Sequence, residues 1–90
     1  MNADEQTAVL TFAMRMHAKL NGNMHKGGRV NWINTRLEVL QSRLDDEVLE
    51  LQEALKHGSA EDIANECADV ANFAMMIADW SLESEKRGKL

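Results

Sequence analysis

Hydrophobic residues recur along this chain at the three- and four-residue spacing of amphipathic helices, in three separate segments. The first covers residues 4 to 20, the second runs from about Thr35 to Gly58, and the third is centred on residues 63 to 80. Proline is absent, and the five glycines lie between these segments or near the C-terminus. The pattern therefore predicts an all-α fold in a single domain, residues 1 to 90.

The ends of the predicted helices carry capping residues. Pairs three residues apart, of the kind that form capping boxes, occur at all three predicted starts: Asn2 with Glu5, Thr35 with Glu38, and Ser59 with Asp62. Gly58 is the predicted C-terminal cap of the second helix. The second and third helices are therefore predicted to be joined by a short turn.

The third predicted helix is apolar around most of its circumference, since thirteen of the eighteen residues from Ile63 to Trp80 are apolar. Such a helix must be covered on more than one side. A chain of ninety residues also buries a smaller share of its surface than a longer one, so a partner subunit would help to cover it. We expect a short helical bundle completed by oligomerisation, as a homodimer or homotetramer.

Two pairs of acidic residues are the chemically informative feature of the chain. Glu47 and Glu50 lie on the second predicted helix, and Glu66 and Asp69 lie on the third. A spacing of three residues puts both members of a pair on one helix face, so antiparallel packing would bring four carboxylates together. Like charges at that distance need a cation, and an all-oxygen site suits Mg²⁺ or Mn²⁺ better than zinc.

A less specific interpretation is that Glu47 and Glu50 are solvent-facing residues on the flank of an amphipathic helix. The third helix favours metal binding instead, because no Lys or Arg occurs from residue 57 to residue 85 and a carboxylate buried without a partner is costly. The other possible source of positive charge is a basic side chain that reaches in from elsewhere: Lys26, Arg29 or Arg43.

Residues 21 to 32, NGNMHKGGRVNW, break the helical pattern and combine glycines with cations and an aromatic residue. One interpretation is a segment that grips phosphate or contacts a base, with Lys26, Arg29 and Trp32 as the binding residues. The other is a solvated connector whose Trp32 fills the core. Asn72 continues the three-residue spacing of the acids on the third helix, and it is either a substrate contact or an ordinary polar residue.

Charge and hydropathy narrow the class of partner. A formal net charge of −5 argues against a general nucleic-acid binder, since neutralising a phosphate backbone needs a basic face. No stretch approaches the roughly 20 apolar residues that span a membrane. The N-terminal residues lack the basic and apolar pattern of a signal peptide. We therefore expect a cytoplasmic protein without nucleic-acid or membrane partners.

The acidic pairs and their surroundings resemble a known family. The two pairs, separated by fifteen residues, are similar to the ExxE and ExxD signature of MazG-like nucleoside triphosphate pyrophosphohydrolases, of the all-α NTP pyrophosphatase superfamily. The stretches LDDEVLELQEAL and ECADVANFAMMIAD resemble the second and third helices of that family. Together with HKGG, they look most like the short members that bacteriophages often encode. The resemblance covers about residues 10 to 80.

The resemblance implies Mg²⁺-dependent cleavage of an NTP or dNTP between the α- and β-phosphates, giving the monophosphate and pyrophosphate. Four metal ligands are implied: Glu47, Glu50, Glu66 and Asp69. Glu47 or Glu50 would also orient the attacking water. Longer members grip phosphate with a further helix, and here Lys26, Arg29 or a neighbouring subunit would take that task. Members of the family form dimers or larger assemblies.

Two alternatives belong to other classes of protein. The first is a non-catalytic helical oligomerisation or interaction module that retains the scaffold and uses the acids as charged flanking residues. The second is a di-iron carboxylate bundle. The sequence disfavours it, because such sites use Glu-x-x-His motifs and no Glu here is followed by His three residues later.

Overall fold

The computed structural model of the chain describes residues 1–22 and 27–88. Within these ranges the chain forms helices and no strand, which confirms the prediction of an all-α fold. The helices are α1 (Ala3–Gly22), α2 (Gly28–Ile33), α3 (Leu37–His57) and α4 (Ala60–Lys86). None of them is both long enough and apolar enough to span a lipid bilayer.

Two of the three predicted capping pairs are confirmed. At the start of α1, the Glu5 backbone N–H donates to Asn2 Oδ1 over 2.9 Å. At the start of α4, the Asp62 backbone N–H donates to Ser59 Oγ and the Ser59 backbone N–H donates to Asp62 Oδ2, each over 3.1 Å. This reciprocal pair satisfies two backbone N–H groups that have no carbonyl acceptor within α4.

The predicted cap of the next helix is wrong. The Thr35 hydroxyl donates instead to the backbone carbonyl of Asn31, over 2.8 Å, and α3 begins two residues later behind Arg36, which makes no side-chain cap. The physical reason is α2, a six-residue helix that the glycine-rich sequence did not predict. The last carbonyls of this helix lack intrahelical α-type partners, so the Thr35 hydroxyl donates to the Asn31 carbonyl together with the Asn34 backbone N–H.

Gly58 ends α3 as predicted, although not through a left-handed backbone. Its φ of −88° is one that any residue adopts. A Cβ at this position would lie 2.8 Å from the carbonyl oxygen of Ala54 and 3.0 Å from Cβ of Asp62. Glycine therefore lets the backbone pass close to Ala54 and Asp62. Together with Ser59 it joins α3 and α4 in a tight antiparallel helical hairpin.

Helix α4 is the centre of the fold. It packs along α3, and α1 and α2 also lie against it, so its apolar residues are covered on more than one side within the chain. The fully buried apolar core is small, with Leu40 and Ala68 as its members among the described residues. A buried polar contact joins α1 to α4, because the Asn72 side-chain amide donates to the Met16 carbonyl over 3.0 Å.

Helix α1 covers the bundle incompletely. Phe12, Met16 and Leu20 of its predicted stripe are partly buried, but none of its residues is fully buried. Val9, Leu10 and Met14 are 53%, 58% and 73% exposed. The chain therefore presents an apolar surface on α1 as well as the acidic surface described next.

Candidate metal centre and adjoining cleft

The four predicted acids lie together where α3 packs against α4. Glu47 and Glu50 of α3 lie close to Glu66 of α4, and Glu47 also lies close to Asp69. Carboxylate oxygens of Glu47, Glu66 and Asp69 come within 4.8 Å of one another, and all three side chains are partly buried. Glu50 is exposed, but its carboxyl group is within hydrogen-bonding reach of both Glu47 and Glu66.

Burial and mutual repulsion raise the pKa values of two carboxyl groups in this cluster. The pKa of Glu47 is raised from 4.5 to about 7, mainly by partial burial and secondly by the adjacent Glu50. Burial also raises the pKa of Glu66, with the charge of Asp69 as the next cause. The Oε2 atoms of Glu47 and Glu66 are buried and accept no hydrogen bond from any described residue. The cluster therefore carries more negative charge than its own hydrogen bonds stabilise.

One basic side chain of the described chain reaches the cluster through an ion pair. Lys19 Nζ, near the end of α1, lies 3.4 Å from Asp69 Oδ2. The sequence pattern did not single out Lys19, because its proximity to Asp69 depends on how α1 packs over α4. A single ammonium opposite four carboxyl groups leaves a net negative site. Oxygen-only donors with buried, unpartnered lone pairs fit a hard divalent cation.

A cleft of about 460 Å³ opens beside the acids, between the C-terminal part of α1 and the other three helices. Glu47 and Asp69 line one end, and Val39, Leu40 and Met76 form apolar walls about two turns away along α3 and α4. This volume lies in the range of small-molecule binding sites, which are mostly apolar with a few placed polar groups. The cleft therefore has carboxylates at one end and walls of mixed polar and apolar side chains beside them.

Arg29 and Trp32, two of the predicted binding residues, line this cleft and share one partner. The Arg29 guanidinium donates to both carboxylate oxygens of Asp79, over 2.8 and 3.0 Å, and lies 3.6 Å from Glu83. The Trp32 indole N–H also donates to Asp79, over 2.9 Å. These bonds lower the pKa of Asp79, with Arg29 as the larger cause. They attach α2 to α4 and already neutralise Arg29. Lys26 lies outside the described residues.

Trp80, the other tryptophan of the chain, is also held by the fold. Its indole N–H donates to the Thr35 carbonyl over 2.8 Å, and this contact joins α4 to the segment between α2 and α3. Trp80 does not line the cleft, whereas Trp32 does. Of the two tryptophans, therefore, only Trp32 is placed to contact a ligand in the cleft.

Asn72 and Arg43 also line the cleft. Asn72 is only 4% exposed, and its Oδ1 accepts no hydrogen bond although its amide is fixed by Met16. The Arg43 guanidinium lies over the ring of Phe73, 5.2 Å from its centroid. The sequence indicates Arg43 only as one of three basic side chains within possible reach of the acids. Its position in the cleft follows from the pairing of α3 with α4.

These features define a small all-α protein with a carboxylate cluster at the mouth of a ligand-sized cleft. A protein of Archaeoglobus fulgidus, described only as uncharacterized, is 37% identical over 77 residues, covering 83% of this chain and 81% of the archaeal protein. The chain belongs to the same family as this archaeal protein. No protein-family model and no solved structure matches the chain.

The pKa of Glu47 predicts a pH-dependent stability in metal-free buffer. Because the folded-state pKa is raised, ionising Glu47 opposes folding: the cost is absent below about pH 4.5 and fully present above about pH 7. Glu47→Gln should therefore stabilise the protein at about pH 8 by on the order of 1–2 kcal/mol, after allowance for solvent screening, and change little at about pH 4.5. Urea unfolding in EDTA measures this difference.

Glu53→Gln is the matched control, because Glu53 is on the same helix and its contact with His57 is exposed to solvent. Its effect on the free energy of unfolding should be small at both pH values. An equal effect of Glu47→Gln at both pH values would show that the cluster does not strain the folded state.

Proposed function

We propose that this protein is a Mg²⁺-dependent nucleoside triphosphate pyrophosphohydrolase of the MazG-like kind. Its reaction would convert an NTP or dNTP to the monophosphate and pyrophosphate. The observation that carries the proposal is the set of carboxylates from two helices, with buried unpartnered oxygens, beside a cleft of about 460 Å³. The likeness of the two acidic pairs to the ExxE and ExxD signature supports it.

Four carboxylates would hold the metal: Glu47, Glu50, Glu66 and Asp69. When bound, Mg²⁺, or Mn²⁺ in its place, supplies positive charge that neutralises the phosphates. The protein itself supplies a base. A water attacks the α-phosphorus, the bond to the α–β bridging oxygen breaks, pyrophosphate leaves, and the proton of the water passes to a carboxylate. Glu47 or Glu50 would orient this water and take that proton, since the two carboxyl groups lie within hydrogen-bonding reach of each other and Glu47 lines the cleft.

The cleft supports a nucleoside as the rest of the ligand. Trp32 offers aromatic surface, and Val39, Leu40 and Met76 offer apolar surface, on the side of the cleft away from the acids. A base would be buried there while its phosphates extend toward the carboxylates. Apolar walls of this kind would bury a base, and polar groups nearby would fix its orientation and its identity.

A panel of canonical, deoxy and modified NTPs with Mg²⁺ tests the proposal. We expect pyrophosphate and the monophosphate from at least one member, and none in EDTA. Asp69→Asn and Glu50→Gln should lower kcat about a hundredfold or more, because each removes a charge that holds the metal. Glu53→Gln, on the exposed side of α3, should leave kcat unchanged. Folded parent protein that releases no pyrophosphate from any member contradicts the proposal.

The alternative is a non-catalytic interaction module. The ion pair of Lys19 with Asp69 favours it, because it shows the chain partly satisfying its own acids. In a module of this kind, Mg²⁺ would change neither the Tm of the parent nor the Tm of Asp69→Asn. Under the proposed function, Mg²⁺ raises the parent Tm by several degrees and leaves the variant unaffected.

We also propose that the chain acts as a homo-oligomer, a homodimer or a homotetramer. Its surface area is 6402 Å², whereas a folded monomer of 10.1 kDa exposes roughly 5,300 Å². The excess, about 1,100 Å², is comparable to the area that one subunit buries in an obligate dimer. The apolar surface of α1, with Leu10 and Met14 one turn apart, is a suitable place for that contact.

Light scattering after size-exclusion chromatography tests the oligomer. The parent should elute as a dimer or tetramer, and Leu10→Glu should shift it toward monomer, because a buried unpaired carboxylate is costly in an interface. Gln41→Glu, the same change of charge at an exposed position of α3, is the control and should keep the parental mass. A parent that is monomeric over the whole accessible concentration range contradicts the oligomer.

A further inference from the structure

Three cationic side chains line the cleft in the described parts of the chain, and they differ in what neutralises them. Lys19 pairs with Asp69, and Arg29 pairs with Asp79. Arg43 has no carboxylate partner among residues 1–22 and 27–88. Its guanidinium instead lies over the ring of Phe73. The cleft therefore contains one arginine whose charge is available to an anionic ligand.

The position of Arg43 along α3 is informative. It lies one turn before Glu47 on the same helix face, which places the two Cα atoms about 6 Å apart along the axis. It also lies about one turn after Val39 and Leu40, which line the apolar part of the cleft. Along the axis of α3, Arg43 therefore lies between the carboxylates and the apolar walls. A ligand that spans both would place the junction of its apolar and anionic parts beside Arg43.

Phe73 contacts this arginine without neutralising its charge. The guanidinium lies over the ring, 5.2 Å from its centroid, and an attraction to the ring face leaves its N–H groups free to donate. The planar fork of N–H donors matches two oxygens of a phosphate. The contact also reduces the side-chain freedom that binding would otherwise have to remove.

Asn72 gives a second, independent sign of a ligand at the same height. It precedes Phe73 on α4, lines the cleft and is buried, and its Oδ1 accepts no hydrogen bond from the described residues. The bond from its Nδ2 to the Met16 carbonyl fixes the amide, so the oxygen is the group left for a ligand. A buried acceptor without a donor is costly, and a ligand hydroxyl or N–H would satisfy it.

We propose that Arg43 binds the phosphate attached to the sugar of a nucleoside 5′-phosphate, while Asn72 Oδ1 accepts a hydrogen bond from the sugar. The base would occupy the apolar part of the cleft, and any further phosphates would extend toward Glu47 and Asp69. The choice of a nucleotide as the ligand rests on the proposed function. The assignment of Arg43 rests on the cleft itself.

Calorimetric titration with the eight common nucleoside 5′-monophosphates and the matching nucleosides, in saturating Mg²⁺, tests the assignment. The parent should bind at least one monophosphate more tightly than its nucleoside. Arg43→Met keeps the contact with Phe73 but removes the charge, and it should weaken that monophosphate about tenfold to a hundredfold without changing nucleoside affinity. Arg43→Lys should recover part of the loss, because it restores the charge but not the planar fork.

Arg36→Met is the matched control. Arg36 is exposed at the start of α3 and does not line the cleft, so its loss should leave the monophosphate affinity at the parental value. If Arg43→Met unfolds, Arg43→Gln takes its place, with the thermal transition measured for each variant.

The outcomes separate the two proposals. Parental monophosphate affinity in the Arg43 variants, with active protein, overturns the Arg43 assignment alone. Affinity that depends on Arg43, in a protein that releases no pyrophosphate from any triphosphate, supports the assignment and contradicts the hydrolase. A parent that binds neither nucleosides nor monophosphates overturns the assignment and also counts against the hydrolase.

Discussion

The repulsion among four carboxyl groups, held at one place by the α3–α4 hairpin, is the constraint on which the site depends. The hairpin is short because Gly58 allows the chain to turn close to the last carbonyls of α3, and Ser59 starts α4 at once. That connection sets the pairing of the two helices and so brings each acid opposite another. Folding therefore stores unfavourable electrostatic energy in this region, and a bound cation would release it.

The other helices surround this hairpin with groups of different chemistry. Helix α1 brings Lys19 to Asp69 and uses its Met16 carbonyl to orient Asn72. Helix α2 is attached through Asp79, which neutralises Arg29 and positions Trp32 at the wall of the cleft. The result is a gradient along one cleft, from carboxylates through Arg43 to apolar side chains. We propose a nucleotide as the ligand because it combines an anionic end with a flat base.

Local sequence was sufficient for much of this arrangement. The three-residue spacing of the acids and the capping residues Asn2 and Ser59 act within one helical turn, so they could be predicted without knowledge of the fold. The six-residue helix α2 could not be predicted, because the glycines around its start indicate a loop. Contacts with α4 stabilise this helix. Thr35 was then assigned to the wrong helix for the same reason.

The cleft residues depended on contacts distant in sequence. Arg29 and Arg43 have the same side chain, and only the presence of Asp79 near one of them distinguishes a structural ion pair from an available cation. Likewise, the ion pair of Lys19 depends on the packing of α1, and the role of Asn72 depends on which of its two polar atoms Met16 engages. These distinctions are properties of the packed helices.

The central claim is that the carboxylates of α3 and α4 form a site for a divalent cation. Anomalous scattering from crystals of the protein grown with Mn²⁺ tests it most directly. We predict anomalous density bounded by Glu47, Glu66 and Asp69, and its loss in crystals of Asp69→Asn. Mn²⁺ found only at other surface acids, such as Asp45, with no density at the cluster, would contradict the claim.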